Sequence, residues 1–263
     1  MSSVAVTQPR VIRSEWTKFI TVRSTLWSLG VGILLTLLFP ILFAAVTSSH
    51  WGTMSPREQA DRHPMDIALA GVNVAQLAIA VLGVLVITAE YSTGMIRSTL
   101  LAVPKRLPVL WAKLGVFAVV SFALTLPAVI VSFYTSQAIL DRHHILQTSI
   151  SSPGVLRVIV GSALYVMGVG VLALALGAII RNTAGGISAF VGLFFVIPPL
   201  MNVLPLSWNN AISKWLPSEA GRQLFALQRD HTRFAQWPSG ALFLGYCILA
   251  VAIAAVLLRR RDA

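Results

Sequence analysis

Residues 90–113 read EYSTGMIRSTLLAVPKRLPVLWAK, a polar stretch between two long apolar runs. It must therefore form a loop at a membrane face. Ser92 or Thr93 can cap a helix N-terminus, apolar residues follow at helical spacing, and Pro104 ends the helix. The pattern predicts a short amphipathic helix over residues 92–103, with an acidic residue before it and basic residues after it. Such a helix is typical of a docking surface.

Composition places the remainder of the chain in lipid. Hydrophobic residues make up 56% of the 263 residues and charged residues only 11%, whereas soluble domains carry roughly 25% charged residues. We therefore predict an all-α integral membrane protein, with residues 1–263 forming a single transmembrane domain. The net charge of +11 is interpreted as a topology signal and not as a nucleic-acid footprint.

The apolar runs predict six transmembrane helices, because each is close to the roughly 20 residues that cross a bilayer. Their predicted ranges are 27–47, 67–89, 110–134, 155–180, 186–204 and 240–258.

Two further segments are predicted to lie along the membrane surface. Residues 11–27 form an amphipathic helix that lies flat in the headgroup layer, with an apolar stripe that includes Trp16 and Ile20. Residues 205–239 are too apolar for a free loop, so we expect one or two short helices at or dipping into the outer leaflet. Pro217 marks one helix start, and Pro198 with Pro199 is expected to end or break the fifth span.

Lysine and arginine placement sets the predicted orientation. If the termini are cytoplasmic, twelve of the 20 basic residues fall in inner segments and eight in outer ones. Four of the outer eight lie in the long loop 205–239, where the rule is weak. The charge distribution therefore predicts a multi-pass protein with both termini in the cytoplasm.

Several kinds of chemistry have no support in the sequence. No GxxxxGK[ST] phosphate-binding loop occurs, no catalytic residues are identified, and no cofactor or metal site is predicted because the histidines fall in separate outer loops. The spans carry almost no ionisable side chains, and Lys113 and Arg157 are expected to snorkel from span ends. If the protein transports a substrate, its energy must come from outside the spans.

Small residues line one side of the fifth span, namely Gly185, Ser188, Ala189 and Gly192. Such residues let helices approach closely in lipid. They are candidates for a dimer seam, and packing within one chain is an equally good interpretation.

These features together resemble the ABC type-2 exporter permeases over the whole chain. The leader Glu15-Trp16-Thr17-Lys18 fits the family's E-x-x-K elbow helix, and the loop fits its pattern E-Y-x-x-G-T-[IL]-R…L…P-x-R…K, with Met95 in place of the threonine. The matching loop residues are Glu90, Tyr91, Gly94, Ile96, Arg97, Leu100, Pro104, Arg106 and Lys113. Residues 181–185 and 216–221 also resemble family segments.

The resemblance implies a partner ATPase. Two copies of a separately encoded ABC ATPase would dock on a cytoplasmic coupling helix, which is the predicted helix 92–103, through Glu90, Tyr91, Gly94, Ile96, Arg97, Leu100, Pro104 and Arg106. A second permease copy, identical or related, would complete the exporter. Drugs, antibiotics, lipids and polysaccharides are substrates in the family, so we expect a hydrophobic or amphipathic substrate.

Two alternatives remain open at this point. A secondary carrier would need no ATPase, although the missing charge at mid-membrane argues against it. A non-transporting membrane scaffold would leave the loop pattern unexplained. A copper-linked role is a minor possibility, since no clustered metal ligands are evident.

Overall fold

The computed structural model describes residues 8–94, 106–145, 147–228 and 232–260. These residues form helices and turns and no strand, which confirms the all-α prediction. Within them, six helices are long and apolar enough to cross a membrane. The chain is a multi-pass membrane protein.

The six spans are longer than their predicted ranges in most cases, because helices continue beyond the apolar core. Their bounds are Arg23–Thr53, Pro64–Ser92, Leu107–Arg142, Val155–Ile180, Thr183–Met201 and Gln236–Arg260. Span one ends in a 3-10 turn, Trp51–Thr53, and span two is built from helices Pro64–Ala68 and Ala70–Ser92. The helix of span three begins at Arg106.

Successive spans alternate in direction, so both described termini lie at one end of the bundle. We call this the near end, because the N-terminal helix Gln8–Thr21 packs there against span three, and we call the other end the far end. A small apolar cluster at the far end joins spans one, two and three through Ala44, Ile67 and Leu140.

The N-terminal helix is shorter than the predicted 11–27. It stops at Thr21, and Val22 adopts an extended backbone (ψ 113°) before span one begins at Arg23. The break turns the chain from the membrane surface into the bundle.

Span four lies at the centre of the bundle. In its most apolar window 67% of the residues are buried, against 28% or less in spans one, five and six. The Tyr165 hydroxyl donates to Gln76 Oε1 of span two over 2.5 Å, and the Tyr165 ring packs between Phe225 and Phe243. A polar pair buried among apolar rings satisfies both groups without water.

Span five passes through its two prolines, contrary to the expectation that they would end or break it. An α-helix Thr183–Val191 leads into a π-helical segment Gly192–Val196 and then a last turn, Ile197–Met201. The wider π turn accommodates residues that have no amide hydrogen.

The short helices predicted between spans five and six are present. They are Leu206–Ile212 and Pro217–Arg222, the second beginning at Pro217 as predicted. The loop enters the bundle at Gly161, where an added Cβ would lie 2.2 Å from the Leu224 carbonyl oxygen. Gly161 follows the start of span four by six residues, so the loop reaches roughly 9 Å below that start.

Arg157 fixes the part of loop 205–239 that enters the bundle, which we call the re-entrant loop. Its guanidinium donates to the carbonyl oxygens of Leu224 (3.2 Å) and Ala226 (2.8 Å). The expected snorkelling of Arg157 is therefore wrong, because its charge is directed to loop carbonyls that lack helical donors.

Candidate functional site

Four charged side chains meet at the near end, and we call them the charge cluster: Glu15, Lys18, Glu90 and Lys113. Glu15 and Lys18 come from the N-terminal helix, Glu90 from the end of span two and Lys113 from the start of span three. Three elements that are distant in sequence thus share one group of ion pairs.

Each lysine bridges both carboxylates. Lys18 Nζ lies 2.8 Å from Glu15 Oε1 and 2.9 Å from Glu90 Oε1. Lys113 Nζ lies 2.7 Å from Glu15 Oε2 and 3.0 Å from Glu90 Oε1. All four distances suit charge-assisted hydrogen bonds.

The cluster is formally neutral and largely buried. The side chain of Lys113 is 4% exposed and that of Lys18 30% exposed. Burial lowers the pKa of Lys18, but the hydrogen bonds that Lys18 donates to Glu15 and Glu90, with the charges of these carboxylates, outweigh burial and raise the pKa above its usual 10.5. Lys18 is therefore charged at neutral pH. Among the described residues, Glu90 Oε2 is buried without a hydrogen-bond partner.

The N-terminal helix positions the cluster through its buried face. Val11 packs with Val109 and Ala112 of span three, and the Phe19 ring meets Phe117 edge-on at 6.2 Å. Glu15 lies between these contacts on the same helix face, because positions four apart are neighbours on a helix.

The apolar stripe expected from the sequence includes Trp16 and Ile20. Trp16 and Ile20 are 45% and 46% exposed, so the most apolar stripe of the helix faces away from the protein. On a membrane-surface helix that stripe contacts lipid, and the protein side carries the charge.

The ion pairs of the charge cluster connect three elements of the fold. Every charge has a counter-charge at hydrogen-bond distance. A cavity of about 220 Å³ beside the cluster is lined by its four charged residues and by apolar residues that include Phe19, Val22 and Val86. The ion pairs fix the last turn of span two and the second turn of span three to the N-terminal helix. The helices on both sides of residues 95–105, which we call the connecting segment, are therefore fixed to the N-terminal helix.

Three of the predicted docking residues are described in full. Glu90 is 6% exposed, so its carboxylate is directed to Lys18 and Lys113 inside the chain and not to the surface. Tyr91 is half-buried under the Arg181 guanidinium, 5.2 Å from the ring centre. Gly94 has φ +71° and ends the helix of span two, a left-handed conformation that glycine adopts without strain.

The remaining docking residues fall on the connecting segment. Residues 95–105 lie outside the described residues, and with them most of the predicted helix 92–103. That part contains Ile96, Arg97, Leu100 and Pro104. Arg106 begins the helix of span three, and its side chain is not described.

The predicted seam residues differ in what surrounds them. An added Cβ on Gly185 would lie 2.8 Å from Ile180 Cγ2, whereas one on Gly192 would meet no atom of the described residues within 4 Å. Ser188 is exposed and Ala189 partly exposed. Packing within the chain therefore accounts for Gly185 and leaves Gly192 open.

Sequence reasoning missed the meeting of these charges and expected Lys113 to snorkel. That expectation is wrong, since Lys113 is buried and doubly paired. A signal was available, because two carboxylates and two lysines interrupt apolar segments, and charges at membrane depth pair with one another.

The chain matches no family model, and no curated protein matches it.

Proposed function

We propose that the chain is the membrane-spanning subunit of an ATP-driven exporter. It moves a hydrophobic or amphipathic substrate across the bacterial plasma membrane, with energy from two copies of a separate ATPase. The chain supplies no catalytic residue of its own. Both termini, and hence the near end, are cytoplasmic.

The observation that carries this proposal is the charge cluster. It fixes span two, span three and the N-terminal helix to one another on both sides of residues 95–105. A partner that pushes on this segment therefore moves three elements together, as a device that couples ATP hydrolysis to the spans requires. A loop that only connects two spans does not require ion pairs on both of its sides.

The distribution of ionisable residues supports an external energy source. Every Asp, Glu, Lys, Arg and His of the described spans lies within about two turns of a helix end. Ion- or proton-coupled carriers place such groups at mid-membrane to bind the coupling charge. Energy delivered by a partner at the near end fits a chain without them.

Docking of the ATPase is assigned to the connecting segment. Ile96, Leu100 and Pro104 supply apolar contact and Arg97 supplies charge, following the resemblance to the type-2 permeases. Glu90 fixes the end of span two, which leads into this segment, through its ion pairs with Lys18 and Lys113.

Affinity purification of the tagged chain from its native membrane tests this proposal. We expect a co-eluting protein with a Walker phosphate-binding loop and ATP hydrolysis by the eluate. The variant Arg97→Ala should lose most of the partner at unchanged expression, since losing an interface charge costs about 2–5 kcal/mol when it is buried.

The matched control is Arg142→Ala, which removes the same charge at the far end. We expect it to retain full partner recovery. Equal recovery in both variants would remove Arg97 from the interface, and a wild-type eluate without an ATPase would overturn the exporter proposal in favour of a carrier or scaffold.

Orientation is tested separately. A cysteine at position 50, at the far end of span one, should react with an impermeant reagent in intact cells, with Cys247 replaced by serine. A cysteine at position 98 should react only after the cells are opened. The reverse pattern would place the near end outside and contradict the docking site.

We also propose that two chains meet along span five. This span is only 17% buried in its most apolar window, and a Cβ added to Gly192 would meet no atom of the described residues within 4 Å. Gly192→Leu should lower the dimer fraction in detergent, whereas Gly30→Leu, at a span-one glycine with equally open surroundings, should not. An unchanged dimer fraction for Gly192→Leu would exclude this face.

A further inference from the structure

A groove runs along the outside of the bundle between spans three and six, and we call it the lateral groove. Its volume is about 560 Å³, which lies within the range of small-molecule pockets. Span three contributes Leu107 and Trp111, span four contributes Val171, and span six contributes one helix face that begins at Leu244 and ends at Arg259. None of its described lining residues belongs to span five, so the proposed dimer face lies elsewhere.

The length of the lateral groove matches one leaflet of a bilayer. Leu244 and Arg259 are fifteen residues apart in the helix of span six, which corresponds to roughly 22 Å. A bilayer with its headgroup regions is about 40–45 Å thick, so one leaflet is roughly 20–22 Å. The groove therefore extends from the near-end headgroup region to about the middle of the membrane.

Polarity is confined to the near end of the lateral groove. Arg259 is the one charged residue among its described lining residues, and the others are apolar. Trp111, in the second turn of span three, also lines this end and is 51% exposed, as is typical of tryptophans in the headgroup layer. A ligand that fits the groove has one charged head and a long apolar body.

The guanidinium of Arg259 has no counter-charge on the described part of the chain. Arg259 is exposed and forms no ion pair with the described residues. The described carboxylates at the near end are Glu15 and Glu90, and both are paired with lysines of the charge cluster. Arg259 is therefore available to bind an anion from the membrane.

The walls of the lateral groove suit a lipid better than a polypeptide. An extended peptide needs hydrogen-bond partners for its backbone at membrane depth, and the described walls beyond Arg259 offer only apolar side chains. Acyl chains require no such partner. Basic residues beside a groove between transmembrane helices are typical of sites for anionic lipid heads.

We propose that the lateral groove binds one anionic phospholipid. The lipid phosphate accepts hydrogen bonds from Arg259, and an acyl chain lies along Val251 and Leu244 toward the middle of the membrane. The bound lipid fills the gap between spans three and six. This site does not depend on the exporter proposal, because it involves neither the connecting segment nor span five.

Native mass spectrometry of the full chain, delipidated in detergent, tests the site. The probes are dioleoylphosphatidylglycerol and dioleoylphosphatidylcholine, which have the same acyl chains and differ in the net charge of the head. We expect one phosphatidylglycerol per chain to bind roughly five-fold more tightly than phosphatidylcholine, because only its head has a net negative charge for the guanidinium. Glycerol 3-phosphate, which has no acyl chain, should not compete.

Two charge variants test the head of the site. Arg259→Gln should remove the preference for phosphatidylglycerol. Arg260→Gln is the matched control, since it removes the charge of the adjacent exposed arginine, which is not among the lining residues, and it should retain the preference. Equal affinity for both lipids in the wild type, or an equal loss in both variants, would overturn the anionic site.

Two ring variants test the apolar part and remain decisive if Arg259→Gln does not fold. Ala252→Phe places a ring on the groove wall and should weaken binding of both lipids several-fold. Ile253→Phe places the same ring on the next exposed position, outside the groove, and should leave binding unchanged. Unchanged binding by Ala252→Phe would overturn the proposal.

Two further outcomes would assign the groove differently and overturn the lipid site. Competition by glycerol 3-phosphate would indicate an anion site that does not involve the apolar walls. A delipidated chain that binds no phospholipid, forms a dimer and becomes monomeric in Ala252→Phe would show that a second copy of the chain covers the groove.

Discussion

The two ends of the bundle place charge beside lipid in different ways. At the near end, two lysines and two carboxylates are buried and pair with one another across three elements. At the far end, two arginines and one glutamate line a cavity, with one donor nitrogen unsatisfied among the described residues.

The difference separates ion pairs that join distant elements from ion pairs within one loop. The near-end group is formally neutral and fixes the three helices that carry it to one another. The far-end ion pairs join Glu219 to Arg222 and Arg233 within a single loop. We therefore infer that force applied at the near end passes between helices, whereas the far-end ion pairs hold only the loop itself.

The strongest test of the near end is Lys113→Ala. It leaves Glu15 and Glu90 buried with only Lys18 as counter-charge, and breaking a buried ion pair costs about 3–5 kcal/mol. We expect little folded protein in the membrane fraction, measured by fluorescence-detected size exclusion and thermal melting.

The control is Arg23→Ala, at an exposed cation near the start of span one, which should fold normally. A folded Lys113→Ala protein with an unchanged melting temperature would show that the cluster does not hold the near end.

The far end depends on backbone proximity instead of ion pairs, and Gly161→Ala tests this. The new Cβ would lie 2.2 Å from the Leu224 carbonyl oxygen, so the re-entrant loop must shift. Overpacking of this kind costs about 1–3 kcal/mol, and the melting temperature of the purified chain should fall accordingly.

Gly30→Ala provides the matched change in span one, where an added Cβ meets nothing within 4 Å among the described residues. We expect no loss of stability there, because alanine is the better helix former. If both alanine variants melt alike, the loop does not depend on the close approach at Gly161.

Sequence patterns predicted the spans well because a bilayer imposes long apolar runs. They were less informative on the N-terminal helix, where the pairing of Glu15 and Lys18 with Glu90 and Lys113 was not predicted. In lipid the apolar face of a surface helix turns outward, so the charged residue Glu15 faces the protein.

Breaks inside helices were also hard to predict. Val22 carries no glycine or proline signal, yet the chain leaves the helix there because the N-terminal helix must turn into span one. At Pro198 and Pro199 the signal was present, but a π segment let the helix continue. Local sequence indicates where a helix is weakened, and tertiary packing decides what it does there.

We expect the smallest loss of stability for Lys18→Ala, and the pH dependence of this loss shows whether Lys18 stays protonated. Lys18 is 30% exposed, so its loss should cost only about 1 kcal/mol. Its pKa is raised above 10.5 by Glu15 and Glu90 against the effect of burial. A group whose pKa is raised on folding stabilises the protein fully below its unfolded pKa and loses that contribution as the pH rises through its folded pKa.

The difference in melting temperature between wild type and Lys18→Ala should therefore stay constant between about pH 6 and pH 9. The control Arg13→Ala, on the exposed side of the same helix, should melt at the wild-type temperature. A gap that closes within this range would mean that Lys18 loses its proton there, and that the near end is not held by a permanent set of ion pairs.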